Sequence, residues 1–118
     1  MNNLRNSVRL VGRLGTDPEV YNFENGKKKV RFSLATTEAY KDKDGKRVEN
    51  TQWHNIVAWG AQAAFLEKYV QKGREIAIEG KLIHRSYEDS SGSRKYITEI
   101  VVNETLLMGR PANQGATA

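Results

Sequence analysis

Apolar and polar residues alternate along most of this chain, the two-residue period of strands that bury one face. Between Asn6 and Leu14, Val8, Leu10 and Val11 predict a strand, with Gly12 where a closed sheet needs a bend or bulge. Thr16-Asp17-Pro18 predicts a turn. Val20, Tyr21 and Phe23 then lead into Asn25-Gly26, a two-residue hairpin signal, and Lys29 to Thr37 returns as the partner strand. In that strand Val30, Phe32 and Leu34 share a core face. Lys29, Arg31, Ser33 and Ala35 share the face left to solvent or a polar ligand. The charged stretch from Tyr40 to Arg47, with Asp44-Gly45 near its tip, predicts an extended hairpin loop before a strand over Thr51 to Trp59.

The period changes once. From Ala61 to Gln71, residues Gln62, Phe65, Leu66, Tyr69 and Val70 fall on one helical stripe, and Lys72-Gly73 supplies the stop. Strands resume over Glu75 to Arg85, with Gly80 as a second bend, and over Arg94 to Val102, joined through Asp89-Ser90-Ser91-Gly92. Three strands, one helix and two strands is the order of an OB-fold. The predicted class is therefore all-β, a five-stranded Greek-key barrel with one α-helix between strands 3 and 4. Residues 1–110 are expected to form that domain. Residues 111–118 have too little apolar surface to order themselves and are expected to be a disordered tail.

Composition narrows the picture. A length of 118 residues suits one domain. With no cysteine, disulfides, thiolate–zinc sites and cysteine nucleophiles are excluded, and a reducing compartment is allowed. The start, Met1-Asn2-Asn3-Leu4-Arg5, leads into no apolar signal region, and no stretch has the roughly 20 apolar residues of a membrane helix. A cytoplasmic location without a membrane partner is expected. Nineteen Lys and Arg against 14 Asp and Glu give a formal charge of +5, which favours polyanions without choosing one.

The choice comes from the strand Gln52 to Trp59. Alternation puts Trp53, Asn55, Val57 and Trp59 on one face and His54, Ile56 and Ala58 on the other. A tryptophan in a small domain is ordinarily core, and that reading stays open here. The opposite face, however, holds the better core fillers in Ile56 and Ala58. Two indoles beside Asn55 make a surface that both stacks and hydrogen-bonds. Tyr40 and Tyr87, each flanked by charge, add candidate rings, although each alone also fits an ordinary surface tyrosine. Among the interleaved basic residues, Arg31, Lys43, Lys72 and Arg85 are the candidate phosphate contacts; Asp42, Asp44 and Glu88 dilute the rest. Every base has a π-face, so such a surface predicts binding to single strands without sequence preference. No phosphate-cradling loop, nucleophile elbow or paired histidines occur, so no catalytic residue, metal site or cofactor is expected. Two rivals share the barrel: an RNA-binding module, and an assembly module that buries the tryptophans between subunits.

Several blocks carry a family resemblance. They are Val11-Gly12-Arg13-Leu14-Gly15 with Asp17-Pro18-Glu19-Val20, Phe32-Ser33-Leu34-Ala35-Thr36, Thr51-Gln52-Trp53-His54, Ile78-Glu79-Gly80-Lys81-Leu82 and Thr98-Glu99-Ile100-Val101-Val102. From about Asn2 through Arg110 the chain resembles bacterial single-stranded DNA-binding proteins (SSB). The resemblance implies OB-fold subunits in a homotetramer, at the bacterial nucleoid, with single-stranded DNA wrapped outside and protected during replication, recombination and repair. It also implies base stacking at Tyr40, Trp53, Trp59 and Tyr87, where the family often has Trp at the first and last and Phe at the third. His54 matches a position near the subunit interface, and Lys43, Lys72 and Arg85 match basic positions. Asn55 and Ile83 replace common arginines. Family members usually continue through a linker to an acidic tip that recruits replication and repair proteins, whereas this sequence ends at Ala118 without one.

Overall fold

A computed structural model of the chain describes residues 4–109, so the tail expected over 111–118 lies outside the described residues. In chain order the elements are β1 (Val8–Leu14), β2 (Glu19–Asn22), β3 (Lys28–Lys41), β4 (Arg47–Trp59), α1 (Gly60–Tyr69), β5 (Glu75–Glu88) and β6 (Arg94–Leu107). The sheet runs β1-β5-β6-β4-β3-β2, and β1 pairs a second time with β3. That second pairing, Arg13 with Ala35 and Leu14 with Leu34, closes a ring of five strands. β2 lies outside the ring as a short ribbon on β3. The five-stranded OB barrel read from the sequence is present, with α1 between its third and fourth strands.

The alternation in β3 and β4 turns Val30, Phe32, Leu34, Ile56 and Ala58 inward, where they meet Ile76, Ile78, Ile100 and Val102. Truncating a fully buried member such as Leu34 or Ile56 to alanine is expected to remove about 2–5 kcal/mol of stability. The helix supplies Ala63 and Leu66 to this core, and Val70 follows at its C-cap. Its buried stripe is rotated from the one expected, because the small Ala63 faces the barrel while Tyr69 is half exposed. At Gly12 and Gly80 a Cβ would fall 2.2 Å from the carbonyl oxygens of Ala35 and Val101 respectively. At both, two strand backbones come too close for a side chain, and the β1–β5 register runs through Gly12 without a shift. At Gly80 the β5–β6 register shifts.

All three hairpins, β2–β3, β3–β4 and β5–β6, close with one turn design. The carbonyls of Phe23, Asp42 and Asp89 accept hydrogen bonds from Gly26, Gly45 and Gly92, and the same three residues donate their N–H groups to the carbonyls of Lys27, Lys46 and Ser93 at 2.9 Å. The glycines take φ of +82°, +78° and +82°, so each loop is a type I turn followed by a left-handed residue. Asn25-Gly26 therefore belongs to a three-residue loop and not to the two-residue turn expected, since Gly26 has positive φ and Asn25 does not.

The same turn corrects the hairpin loop expected over Tyr40 to Arg47. β3 and β4 stay paired out to Lys41 opposite Arg47, and only residues 42–46 turn. The Asp42 carboxylate fixes that turn by accepting from the N–H groups of Asp44 and Lys46 at 2.9 Å each. Of the charges that suggested a loop, Asp42, Lys43, Asp44 and Lys46 lie in this turn, whereas Lys41 and Arg47 close a paired ribbon that is exposed to solvent and needs no apolar side.

Candidate nucleic-acid interface

Cross-strand partners project to the same side of a sheet, so pairing identifies the barrel's outer face. Across β3 and β4, Lys29 pairs with Trp59, Arg31 with Val57, Ser33 with Asn55 and Ala35 with Trp53. Asn55 and Val57 continue in parallel register to Glu99 and Val101 of β6. Glu99 lies opposite Ile83 of β5, and further along Arg85 opposes Ile97 and Tyr87 opposes Lys95. One continuous surface thus carries Trp53, Asn55, Trp59, Arg31, Arg85 and Tyr87. Trp53 is 62% exposed and Trp59 44%, so neither indole is core. Val57 shares their face but is buried, at a central position flanked by Arg31 and Val101.

Trp53 rests on the loop between β1 and β2. A Cβ at Gly15 would lie 2.3 Å from Cζ3 of Trp53 and 2.9 Å from Oγ of Ser33, so only glycine leaves room for the indole as placed. Gly15 N–H donates to the Ser33 carbonyl at 2.9 Å, which holds the loop there. The turn after α1 is tied to the same loop: Gly73 N–H donates to the Leu14 carbonyl at 2.8 Å and Lys72 N–H to the Asp17 carboxylate at 2.7 Å. Lys72, exposed, is thereby held beside the loop that seats Trp53.

Trp59 stands in a different setting. Phe23 stacks on it at 6.0 Å with 23° between the rings. Lys29 Nζ lies 5.4 Å from the Trp59 ring and 5.8 Å from that of Tyr21. Tyr21 is opposite Lys29 in the β2–β3 pairing, and its hydroxyl donates to Glu19 at 2.7 Å. That carboxylate acceptor holds the phenol above its ordinary pKa. Tyr21, Phe23, Lys29 and Gly15 are residues of this surface that reading the sequence did not select.

Arg85 has a partner of its own. Its Nε and Nη2 donate to the two oxygens of Glu99 at 2.9 and 3.2 Å, a bidentate pair. Glu99 is buried, while the Arg85 side chain is half exposed. The hydrogen bonds from Arg85 hold the Glu99 carboxyl below its ordinary range against the opposing effect of burial, and the positive charges of Lys29 and Arg31 add to the lowering. The guanidinium charge is therefore already matched within the fold.

The geometry is that of an open aromatic and basic face on a small barrel. Residues 5–108 match the family model described as the single-strand binding protein family. The chain belongs to that family. A single-stranded DNA-binding protein of Chlorobaculum tepidum is 44% identical to it, over 96% of this chain and 70% of that protein. One from Bacteroides thetaiotaomicron is 46% identical, over 96% of this chain and 72% of that protein. Among solved structures, a Plasmodium falciparum SSB complex with ssDNA superposes with a TM-score of 0.79 at 30% identity, covering 88% of this chain and 95% of that one.

The positions carried over from the single-strand binding family do not all lie on the outer face. Tyr40 pairs with Val48, out of phase with Trp53, so it sits on the other side of the β3–β4 ribbon, half exposed. Lys43 is in the turn between Asp42 and Asp44. It lies beyond Arg47, and the strand from Trp53 to Arg47 is itself roughly 20 Å long at about 3.3 Å per residue. His54 is part-buried on the side opposite Trp53, with Nε2 2.9 Å from the Thr36 hydroxyl.

Proposed function

We propose that this chain binds single-stranded DNA without sequence preference and protects it during replication, recombination and repair, as a binding protein and not an enzyme. The observation that carries the reading is the pair of exposed tryptophans, Trp53 and Trp59, on one face of a closed barrel that also carries Lys29 and Arg31. An unpaired base stacked on an aromatic ring contributes roughly 1–3 kcal/mol whatever its identity. Trp53, Trp59 and Tyr87 provide rings along the face, with Asn55 between the tryptophans as a hydrogen-bonding group, and Tyr40 provides a ring on the projecting ribbon. Arg31, Lys43 and Lys72 take phosphates. Arg85 contributes less than its charge suggests, because Glu99 already holds it.

In this reading residues 1–110 form the binding domain and 111–118 a tail. Four copies assemble, with His54 near an interface, in a bacterial cytoplasm at the nucleoid, and replication and repair proteins are the further partners. An apolar row supports assembly: Val11, Ala77 and Leu106 lie in register across β1, β5 and β6, with Val11 and Leu106 exposed. The test is competition among matched DNA, RNA and duplex oligonucleotides, with the solution mass measured by light scattering. Preference for single-stranded DNA at four times the chain mass of 13.3 kDa is expected. Equal binding to RNA, or tryptophans protected in a complex that ignores DNA, contradicts it.

A further inference from the structure

Trp59, already a stacking ring in the reading above, belongs to an aromatic row whose other rings, Tyr21 and Phe23, that reading leaves unassigned. Pairing sets Tyr21, Lys29 and Trp59 side by side on β2, β3 and β4, and Phe23, just beyond β2, stacks on Trp59. Phe23 is 46% exposed and Trp59 44%. They border an open cavity of about 590 Å³ whose other lining residues are Glu24, Asn25 and Lys27. The backbone of Phe23 is held by both hydrogen bonds of its turn and its ring rests on Trp59, so little is left to order on binding. Among the described residues no carboxylate lies within ion-pair distance of Lys29, in contrast to Lys28, which pairs with Glu67.

We propose that Phe23 and Trp59 form one two-ring platform for an unpaired nucleobase, with Lys29 holding the adjoining phosphate, so that the strand leaves β4 across β3 onto the β2–β3 turn. This rests on the single-stranded DNA reading above. The occupant is the DNA strand because the platform is continuous with the Trp53 face and its free cations are Lys27 and Lys29; Glu24 supplies the one carboxylate of the cavity lining. Stacking supplies the affinity and the ammonium the anchoring, the combination used for sequence-tolerant single-strand binding.

A chain with Phe23→Trp, Trp53→Phe and Trp59→Phe keeps a ring at each position and has its single tryptophan at 23. Oligo(dT) is expected to quench that emission. In the otherwise unchanged chain, Phe23→Ala is expected to weaken oligo(dT) binding roughly tenfold, the order of one lost stacking contact, and Phe23→Tyr to restore it. Lys29→Gln is expected to flatten the log–log salt dependence by about 0.7, one phosphate contact on a single strand. An unquenched tryptophan at 23 in a variant that still binds a labelled oligo(dT), or unchanged affinity of Phe23→Ala, overturns the platform and leaves the DNA reading standing. Should the alanine variant fold poorly, Phe23→Leu keeps the apolar contact without the ring, and undiminished binding by it overturns the platform equally. A parent chain that ignores oligo(dT) overturns both.

Discussion

The outer face holds its cations in two different states at its two ends. On β5 and β6, Arg85 grips a buried carboxylate through two hydrogen bonds, and one ring, Tyr87, stands two residues away on the same face. On β2, β3 and β4, Lys29 lies between the rings of Tyr21 and Trp59 with no carboxylate within ion-pair distance among the described residues, and it acts on Glu99 only through its field. A count of basic residues treats these alike. Their surroundings do not: the Arg85 charge is committed to the fold, whereas the Lys29 charge is available to a ligand. A charge near an aromatic face marks a phosphate contact only when nothing inside the protein has already claimed it.

The sharpest way to probe this contrast is to remove rings. Trp59→Ala and Trp53→Ala are each expected to weaken single-strand binding by about 1–3 kcal/mol, alike on oligo(dT), oligo(dC) and mixed sequences. Equilibrium titrations check this, and a loss confined to one base would mean hydrogen-bond readout in place of stacking. Arg85→Ala is expected to act on stability: leaving Glu99 buried without its partner lowers unfolding free energy by about 1–3 kcal/mol, towards the low end because water reaches the Arg85 side of the pair. Urea denaturation reads that loss, while the salt slope of binding stays nearly constant. A slope reduced by about 0.7 would place Arg85 on a phosphate and erase the difference between the two ends.

Smaller effects refine the comparison. Gly15→Ala drives a methyl group into the Trp53 ring as placed, so it should weaken binding by less than Trp53→Ala does and shift the tryptophan emission maximum. Unchanged emission would show that the loop yields instead. Acid should expose the Arg85–Glu99 pair. Glu99 has a folded pKa below its ordinary value of 4.5, so its contribution is complete above that value and fades as pH falls through the lowered one. Stability curves of the parent and Glu99→Gln should therefore converge below about pH 4.5. Parallel curves would mean that the pair contributes nothing to folding.

Much of the barrel was legible because burial on one face writes itself into alternation. Val30, Phe32, Leu34, Ile56 and Ala58 point inward as their spacing requires, and the exposure of the tryptophans follows from the same parity. What stayed hidden depends on register and on distant partners. A two-residue turn at Asn25-Gly26 would have paired Tyr21 with Val30, on the core side. The three-residue loop actually formed pairs it with Lys29, beside Trp59. One residue of turn length therefore concealed the second aromatic cluster. The side on which Tyr40 stands was hidden for a related reason: regular pairing out to Lys41 fixes it, whereas the expected loop leaves it free. Glu99 is 14 residues from Arg85 in a charged sequence with many candidate partners, and only the β5–β6 register brings them together. Gly15 is needed because the Trp53 ring lies against it, a contact that joins the β1–β2 loop to β4 and leaves no local signal in the sequence.

The central claim is that Trp53 and Trp59 meet unpaired bases. Both tryptophans of the chain lie on the exposed face, so a titration of intrinsic fluorescence with oligo(dT), at two salt concentrations and beside a duplex of the same length, tests it directly. Strong quenching by the single strand, weakened by salt and nearly absent with duplex, is the predicted result. Emission that ignores oligo(dT) would contradict the account and direct attention to a protein partner for the same face.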